Sequence, residues 1–484
     1  MKKTLIGVAL AAVIGGGGYF AVNKTQSAIA EFGDKQITAH VELYKKQPYV
    51  IKQLLSDPRI TKAEWKVTQS TKDTINSVLT IGIVGEEEQV EIPLVSKITR
   101  GEVKYKEKSY GYGKIVTTPD VKKIKDLPEV IKADTLTNTT YIGLDGDLLN
   151  VTDVKPVKVP EENFTFQGLT AVVDTSATNT SDYDFDLKIE GFIANKDGKL
   201  ITLEPFDVSY QVKNGDYTGK SSVFTFVGSD DYSDKLSTIV LGKGSFKGHY
   251  EYVDGLQVPI SDGVATFEHL SVSVDKKPAI KFNNIAATGG YYKKAEKVLD
   301  LKGSLKMDVD TSAMVELMQQ LPIKVTPESV SFDYAFNNIG YDVVNTYVDV
   351  LGKLDPESGE PPISETEKKA LLQSLQKSGA GLSVNLGLKT AEGNADADMN
   401  YTLSEAGKNV DVDTLIESLK KRNPQQAMAF FEGKANLTVS KALAKATRTA
   451  MYLMMVQAKE EQDNYVINAE LKDGTVTVNG QPMM

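Results

Sequence analysis

A strict alternation of apolar and polar residues after residue 160 is the feature that most limits the folds open to this chain. In the clearest run, Tyr183, Phe185, Leu187 and Ile189 alternate with charged residues. Successive side chains of a strand point to opposite faces of a sheet, so a period of two predicts strands with one buried face and one wet face. Parallel sheets covered on both sides read as continuous apolar runs, so we expect antiparallel pairing.

The same alternation recurs in segments 299–309, 382–388, 395–403 and 465–471, and less clearly near 77–84 and 89–95. Aspartate–glycine pairs at 197–198, 254–255, 262–263 and 473–474 predict hairpin turns, because glycine readily adopts a positive φ. Helical spacing and capping signals predict fewer helices, at 310–321, 364–379, 412–421 and 440–459. The predicted fold class is therefore α+β and strand-dominated, with meandering antiparallel sheets, a few interspersed helices and one N-terminal membrane helix.

The N-terminal segment predicts membrane attachment. Lys2 and Lys3 precede an uncharged, largely apolar run that continues to Asn23. About 20 apolar residues suffice to span a bilayer as a helix. The two lysines on the short side favour a cytoplasmic N-terminus, with the rest of the chain across the membrane. The predicted anchoring side chains are Leu5, Ile6, Val8, Leu10, Val13, Ile14, Tyr19 and Phe20.

A cleaved signal peptide is the alternative interpretation of this segment. Ala28 and Ala30 have the small side chains that a cleavage site requires. A long spacer that includes Lys24 separates them from the apolar run, so the uncleaved anchor is favoured. A second apolar run, at 450–456, has only seven residues between charged ones and predicts a core helix rather than a second crossing.

Length and composition suggest the following organisation. A chain of 484 residues is too long for one hydrophobic core, so we expect several domains. A proline-containing polar stretch after Leu354 is the clearest linker. The predicted regions are an anchor at 1–23, a membrane-proximal α+β region at 24–160, an antiparallel sheet region at 161–354, a linker at 355–363, and a helix-plus-meander region at 364–484.

The sequence offers little material for catalysis. It has no cysteine, and its three histidines, His40, His249 and His269, are scattered. No nucleophile elbow or phosphate-binding glycine loop appears. A partial calcium-loop pattern at 195–204 lacks its first ligand, because Ile193 stands there, and a hairpin is the better interpretation. We therefore predict a protein that is not an enzyme and has no cofactor or metal.

One basic and aromatic patch stands out in a chain with a net charge of −10. It could contact anionic lipid headgroups close to the predicted anchor. A solvated sheet edge guarded by lysines is the alternative. The acidic charge of the whole chain argues against nucleic acid as a partner. The candidate headgroup contacts are Lys97, Arg100, Lys104, Lys106 and Lys108, with Lys114 and the tyrosines at 105, 110 and 112 nearby.

Several segments together resemble the YdgA-like family of bacterial envelope proteins. They are the N-terminal anchor, the Gly111-Tyr112-Gly113-Lys114-Ile115 segment, the turn and strand that begin at Gly379, and the closing hairpin from Tyr465 to Gly480. The family has no established biochemical activity and no defined functional residues. The resemblance implies a single-pass protein of the Gram-negative inner membrane with its body in the periplasm.

Three functions are compatible with the sequence. The first is a non-catalytic, membrane-tethered protein that binds an envelope partner or supports envelope organisation. The second is a carrier of lipid or another hydrophobic ligand in an apolar sheet groove, which an uncovered apolar face would favour. The third is a hydrolase with an unrecognised site. Exposed sheet edges also leave room for a homodimer.

Overall fold

The computed structural model describes residues 60–83, 90–124, 130–143, 146–176, 179–196, 198–229, 235–314, 325–351, 364–420 and 428–482. The predicted membrane anchor, its eight apolar side chains and His40 lie outside these residues. Within the described ranges, no helix is both long and apolar enough to cross a bilayer. The chain forms two compact units, described over residues 60–236 and over residues 237–350 with 364–482.

The first unit consists of antiparallel strands. Its main ladder has the order β1-β2-β3-β6-β7-β8-β11-β12-β15-β16, and a second ladder has the order β9-β10-β13-β14-β17. A small hairpin, β4 with β5, stands apart. The strands are β1 (Ile60–Ser70), β2 (Thr74–Ile83), β3 (Val90–Arg100), β4 (Val103–Tyr105), β5 (Lys108–Tyr110), β6 (Gly113–Pro119), β7 (Leu136–Ile142), β8 (Asp147–Val154), β9 (Val157–Val159), β10 (Phe164–Phe166), β11 (Leu169–Ser176), β12 (Asn179–Ile189), β13 (Phe192–Lys196), β14 (Lys199–Leu203), β15 (Phe206–Lys213), β16 (Asp216–Ser221) and β17 (Phe224–Ser229).

Two glycines mark the line where the first unit's strands pass from one ladder to the other. Gly168, between β10 and β11, has φ +123°, and Gly191, between β12 and β13, has φ +96°. A Cβ atom at Gly191 would lie 2.3 Å from the carbonyl oxygen of Leu203. The backbone N–H of Gln167 donates to Gly191 O at 2.9 Å, and that of Glu190 donates to Gly168 O at 2.9 Å. Backbone hydrogen bonding between the strands therefore continues across the bend, and only glycine fits at these two positions.

The second unit is also an antiparallel meander. The strands β18 and β19 both pair with β20, and the order then runs β20-β21-β22-β23-β24-β25-β26-β28-β29-β30, with β27 also on β28. The strands are β18 (Leu236–Leu241), β19 (Gly244–Glu251), β20 (Ile260–Val274), β21 (Lys277–Ala295), β22 (Val298–Val309), β23 (Pro327–Gly340), β24 (Gly381–Thr390), β25 (Gly393–Leu403), β26 (Phe431–Ser440), β27 (Lys459–Glu461), β28 (Asn464–Lys472), β29 (Thr475–Val478) and β30 (Gln481–Pro482).

Among the described residues, helices lie mainly in the connections of the second unit. The α-helices are α1 (Tyr341–Leu351), α2 (Glu365–Ser378), α3 (Glu405–Asn409), α4 (Val412–Lys420), α5 (Lys441–Ala446) and α6 (Ala450–Met455), and short 3-10 turns span Val121–Lys123, Pro160–Glu162 and Thr311–Met314. The strands β23 and β24 lie on either side of the predicted 355–363 linker and pair directly. The predicted strand-dominated α+β class with antiparallel sheets is confirmed for the described residues.

The helix predicted at 364–379 is confirmed with its capping box. The Ser364 hydroxyl accepts a hydrogen bond from the Glu367 backbone N–H, and the Glu367 carboxylate accepts one from the Ser364 N–H. Gly379 ends the helix with φ 66°. The helix predicted at 412–421 is present as α4. Of the helix predicted at 310–321, the described part is the 3-10 turn up to Met314.

The prediction of one helix over 440–459 is wrong. Two six-residue helices, α5 and α6, are separated by Arg448 in the left-handed region at φ 61°. The Thr447 hydroxyl donates to the Leu443 and Ala444 carbonyls at 2.9 and 3.3 Å, which ends α5. Lys459 begins the strand β27. Local side-chain hydrogen bonding therefore interrupts a segment with helical spacing.

One of the predicted hairpin turns is confirmed and another is wrong. Lys472 pairs with Thr475, so 473–474 is a two-residue turn. Lys196 pairs with Lys199 across the position of Gly198, and Asp197 lies outside the described residues. Gly263 instead lies inside β20, between Gly248 and Gly289 on the neighbouring strands. It is therefore a residue in the middle of a strand rather than part of a turn.

Candidate binding surface

One face of the second unit's sheet is apolar across seven neighbouring strands. Leu305 on β22 lies opposite Phe332, and Phe332 lies opposite Leu386 on β24. Residues directly opposite each other in antiparallel strands point to the same side of the sheet. We call the following cross-strand rows the apolar face: Ala287, Leu305, Phe332, Leu386, Ala397, Leu437 and Ile467; Gly303, Tyr334, Val384, Met399, Ala435 and Ala469; Leu301, Phe336, Leu382, Tyr401 and Leu471; and Met307, Val330, Leu388, Ala395, Val439 and Tyr465.

The centre of the apolar face remains accessible to water. Phe336 is 43% exposed and Leu386 is 44% exposed. Their neighbours Phe332, Tyr334 and Met399 are half-buried. A packed covering layer would bury such side chains almost completely, as it does for Leu299 in the nearby core. A contiguous apolar surface that water can reach is a candidate binding surface.

Helices cover parts of the apolar face toward its two ends. On β22, Leu301 packs against a buried cluster that includes Val343 and Val344 of α1 and is joined by Leu375 of α2. The other end, on β25, β26 and β28, packs against a second cluster that includes Leu443 and Ala444 of α5 and Leu453 of α6; the apolar-face residues in that contact are Ala395, Leu437, Val439, Tyr465 and Ile467. The open centre therefore lies between two helix-covered ends.

Aromatic side chains run along β23 at the open centre. The ring centroids of Phe332 and Tyr334 are 5.7 Å apart, and those of Tyr334 and Phe336 are 6.2 Å apart. The Tyr334 ring lies over Gly303, where a Cβ atom would be only 2.6 Å from it. Three large rings in line offer an extended apolar contact strip.

The opposite face of the same sheet is polar. The Asn436 amide donates to Asp398 at 2.9 Å, and Lys434 lies 3.7 Å from Glu470. Two shallow depressions lie among its polar side chains, one of them lined by Thr288, Ser304, Asp333, Ser383 and Asn385. The two faces thus differ sharply in chemistry, as the alternation predicts.

The five candidate headgroup residues in the first unit differ in the groups that they contact. Lys108 lies 3.1 Å from Asp147 and 3.6 Å from Asp174, and Arg100 lies 3.7 Å from Asp73. The ammonium group of Lys106 sits 5.4 Å from the Tyr105 ring centre. Lys97 and Lys104 are exposed on β3 and β4. Two of the five candidates are therefore bound to carboxylates, and a headgroup role for the group stays a prediction.

The Lys108 cluster shows how burial and charge oppose each other. Burial raises the pKa of Asp174 and of Tyr110, while the charge of Lys108 acts to lower both. Burial alone would lower the pKa of Lys108, but the hydrogen bond to Asp147 and the charge of Asp174 raise it overall. The positive charge of Lys108 therefore lowers the free-energy cost of placing the Asp147 and Asp174 carboxylates close together in the folded protein.

Replacing Lys108 with methionine is expected to destabilise the protein more at neutral pH than at about pH 4. The substitution removes the cation that lowers the pKa of Asp174, so that pKa rises further. When the pKa of a carboxyl group is higher in the folded than in the unfolded state, the folded protein becomes less stable as the pH rises from the unfolded-state pKa through the folded-state pKa. Denaturant midpoints at both pH values test this against Lys104→Met, at an exposed lysine of the same patch. A Lys108→Met deficit that does not depend on pH would contradict it.

Sequence reasoning missed a row of buried polar side chains in the first unit. Asn138 on β7 and Asn150 on β8 are each 4% exposed, and Thr152 is fully buried. The Asn138 amide donates to Asn150 Oδ1 and Thr152 Oγ1, both at 2.9 Å, and the Asn150 amide donates to Thr140 Oγ1 at 3.0 Å. In β7, threonines stand at positions of both parities, Thr137 and Thr139 beside Asn138 and Thr140, so composition gave no signal for this row.

The two described histidines do not form a site together with other ligands. His249 is exposed on β19 with its backbone N–H bonded to Asp262, and His269 is half-buried on β20 beside Gly242. Across the described residues, no group of three or more histidine or carboxylate side chains is placed to hold a metal ion.

Comparison with known families gives one result that covers the whole sequence. A family model described as "Bacterial protein of unknown function (DUF945)" matches residues 1–484. This description is consistent with the resemblance to YdgA-like envelope proteins. Comparison with curated proteins finds no match. The chain is therefore a member of the DUF945 family of bacterial proteins.

Proposed function

We propose that this protein is a non-catalytic binding protein of the bacterial envelope, tethered to the inner membrane by residues 1–23, with its body in the periplasm. We further propose that the apolar face binds the acyl chains of a lipid. The apolar N-terminal run after Lys3 supports the tether. The half-exposed centre of the apolar face is the single observation that carries the binding role.

The free energy of hydration supports an apolar occupant. Phe336 and Leu386 expose apolar surface to water. Covering that surface with an apolar group is favourable by about 25 cal/mol per Å². The rows on both sides of these residues extend the same surface across neighbouring strands. An occupant that lies along the face therefore gains contact area without displacing charged groups.

The hydrogen bonding of the sheet favours an acyl chain over a peptide. The backbone groups of β23, β24 and β25 are already paired on both sides, so the face offers no free strand edge at its centre. A peptide lying there would lose water from its own backbone groups without gaining partners, which is unfavourable. An acyl chain has no such groups.

Mass spectrometry of the full chain, extracted gently from its native membrane, tests this function. We expect an intact N-terminus together with lipid bound in a defined ratio. A copurified envelope protein, or a second copy of the chain, in place of lipid would favour partner binding instead. A chain that begins after Ala30 would overturn the tether without affecting the lipid result.

A further inference from the structure

The short helix α6 exposes an unusual amount of apolar surface. Met451, Tyr452, Met454 and Met455 are 63%, 64%, 52% and 71% exposed, and Val456, just after the helix, is 46% exposed. The sequence predicted a core helix here, and that prediction is wrong. Single exposed apolar residues are ordinary, but five within six consecutive positions form a patch that calls for an occupant.

Leu453 and Ala450 attach this helix to the unit. Leu453 is 8% exposed and packs in the cluster of Val439, Leu443 and Ala444. At 100° per residue, the four exposed side chains within the helix cover an arc of about 160° around its axis, and Val456 extends the patch beyond the last turn. The helix therefore projects from the surface, with apolar groups directed over nearly half of its circumference.

Cations flank the exposed patch in the sequence. Lys445 and Arg448 precede α6, Lys459 follows it, and all three are exposed. Within the described part of the chain, no carboxylate forms an ion pair with any of the three. The nearby Glu460 is paired with Lys441 at 2.7 Å, while Glu461 and Asp463 are exposed further along, at the turn into β28.

We propose that α6 is a membrane contact that inserts its methionine and tyrosine side chains into the interface of a bilayer containing anionic phospholipid. A flat protein partner could cover only one side of a projecting helix, whereas a fluid bilayer surrounds it. Tyr452 suits the interface, because its ring is apolar and its hydroxyl is polar. The flanking cations complement anionic headgroups.

This contact lies beside the end of the apolar face. The cluster that holds Leu453 also packs against Leu437, Tyr465 and Ile467 of that face. The membrane contact does not depend on what the apolar face binds, and it would hold the second unit against a bilayer independently of the N-terminal tether.

The absence of cysteine makes a direct test possible. Met455→Cys and Tyr347→Cys each introduce a single site for an environment-sensitive fluorophore. Tyr347 is a matched control, since it is 53% exposed on α1, whose core contacts belong to a different cluster from those of α6. Each labelled full chain is reconstituted into vesicles with and without nitroxide-labelled phospholipid. Because both chains carry the same N-terminus, a difference between them reports on α6.

We expect nitroxide lipid to quench the label at position 455 by roughly half or more, because interfacial side chains lie about 5–10 Å deep, and to leave the label at 347 nearly unchanged. Arg448→Gln and Lys459→Gln should each weaken this contact roughly fivefold in vesicles with anionic lipid. Equal quenching at the two positions would overturn the proposal. The proposal would also be overturned if the fluorescence of the label at 455 changed with protein concentration but was not quenched by nitroxide lipid, since a second copy of the chain would then cover the helix.

Discussion

Replacing both Leu386 and Phe336 with aspartate is expected to reduce the lipid that copurifies with the full chain by roughly tenfold or more. Both side chains are already exposed, so the carboxylates remain hydrated in the free protein and folding is affected little. A bound acyl chain would have to displace that water, which is strongly unfavourable for a charged group. Quantitative mass spectrometry of extracted lipid measures the difference.

The polar face of the same sheet provides a matched control for this prediction. Asn394→Asp combined with Asn400→Asp adds the same two charges at exposed positions on β25. Each of these residues lies opposite a lysine, Lys389 and Lys434 respectively, so the new carboxylates have favourable neighbours. This variant should keep its lipid. Equal lipid loss in both variants would mean that net charge, rather than the apolar face, controls the result.

Replacing Asn138 with alanine is expected to destabilise the first unit by about 3 kcal/mol. The substitution removes both hydrogen bonds that the Asn138 amide donates and leaves Asn150 and Thr152 buried with fewer partners. An unsatisfied buried polar group is penalised by its full loss of hydration. Denaturant unfolding of the full chain, followed by circular dichroism, measures the change.

Asn195→Ala is the control for this substitution, because Asn195 is exposed on β13. It should change the free energy of unfolding by less than about 0.5 kcal/mol. If Asn138→Ala behaved like this control, the buried polar row would contribute nothing to the stability of the sheet.

The strands were predictable wherever the period of two was unbroken. The runs at 382–388, 395–403 and 465–471 lie within β24, β25 and β28, because on each strand one face is apolar and the other is hydrated. The register shift between Leu299 and Leu301 was not predictable, since it buries both Leu299 and Asp300 in a segment that alternates in sequence. Asp300 there accepts a hydrogen bond from the Asn338 backbone N–H at 3.0 Å, a contact distant in sequence.

Tertiary packing also produced a helix that local preference does not favour. The α1 segment contains several valines, which prefer strands. It is helical because Tyr341, Val343 and Val344 pack with Leu299 and Ile339 in one core. The α2 helix, in contrast, was predictable to the residue because its capping signals are local.

The candidate binding surface was only partly predictable. Each strand's apolar residues could be read from its own alternation, but the continuous face depends on register between strands separated by long connections. The row from Leu305 to Ile467 joins residues more than 150 positions apart, through pairings that helices and turns determine. Whether helices cover that face is likewise a property of the folded chain.

Photo-crosslinking from two adjacent residues tests the central claim most directly. A photoreactive amino acid is placed at Leu386, on the apolar face, or at Asn385, on the polar face; both positions are exposed on β24. After illumination of the full chain in native membranes, we predict lipid adducts at 386 and few or none at 385. Equal adducts at the two positions, or adducts at 386 that contain only protein, would contradict acyl-chain binding by the apolar face.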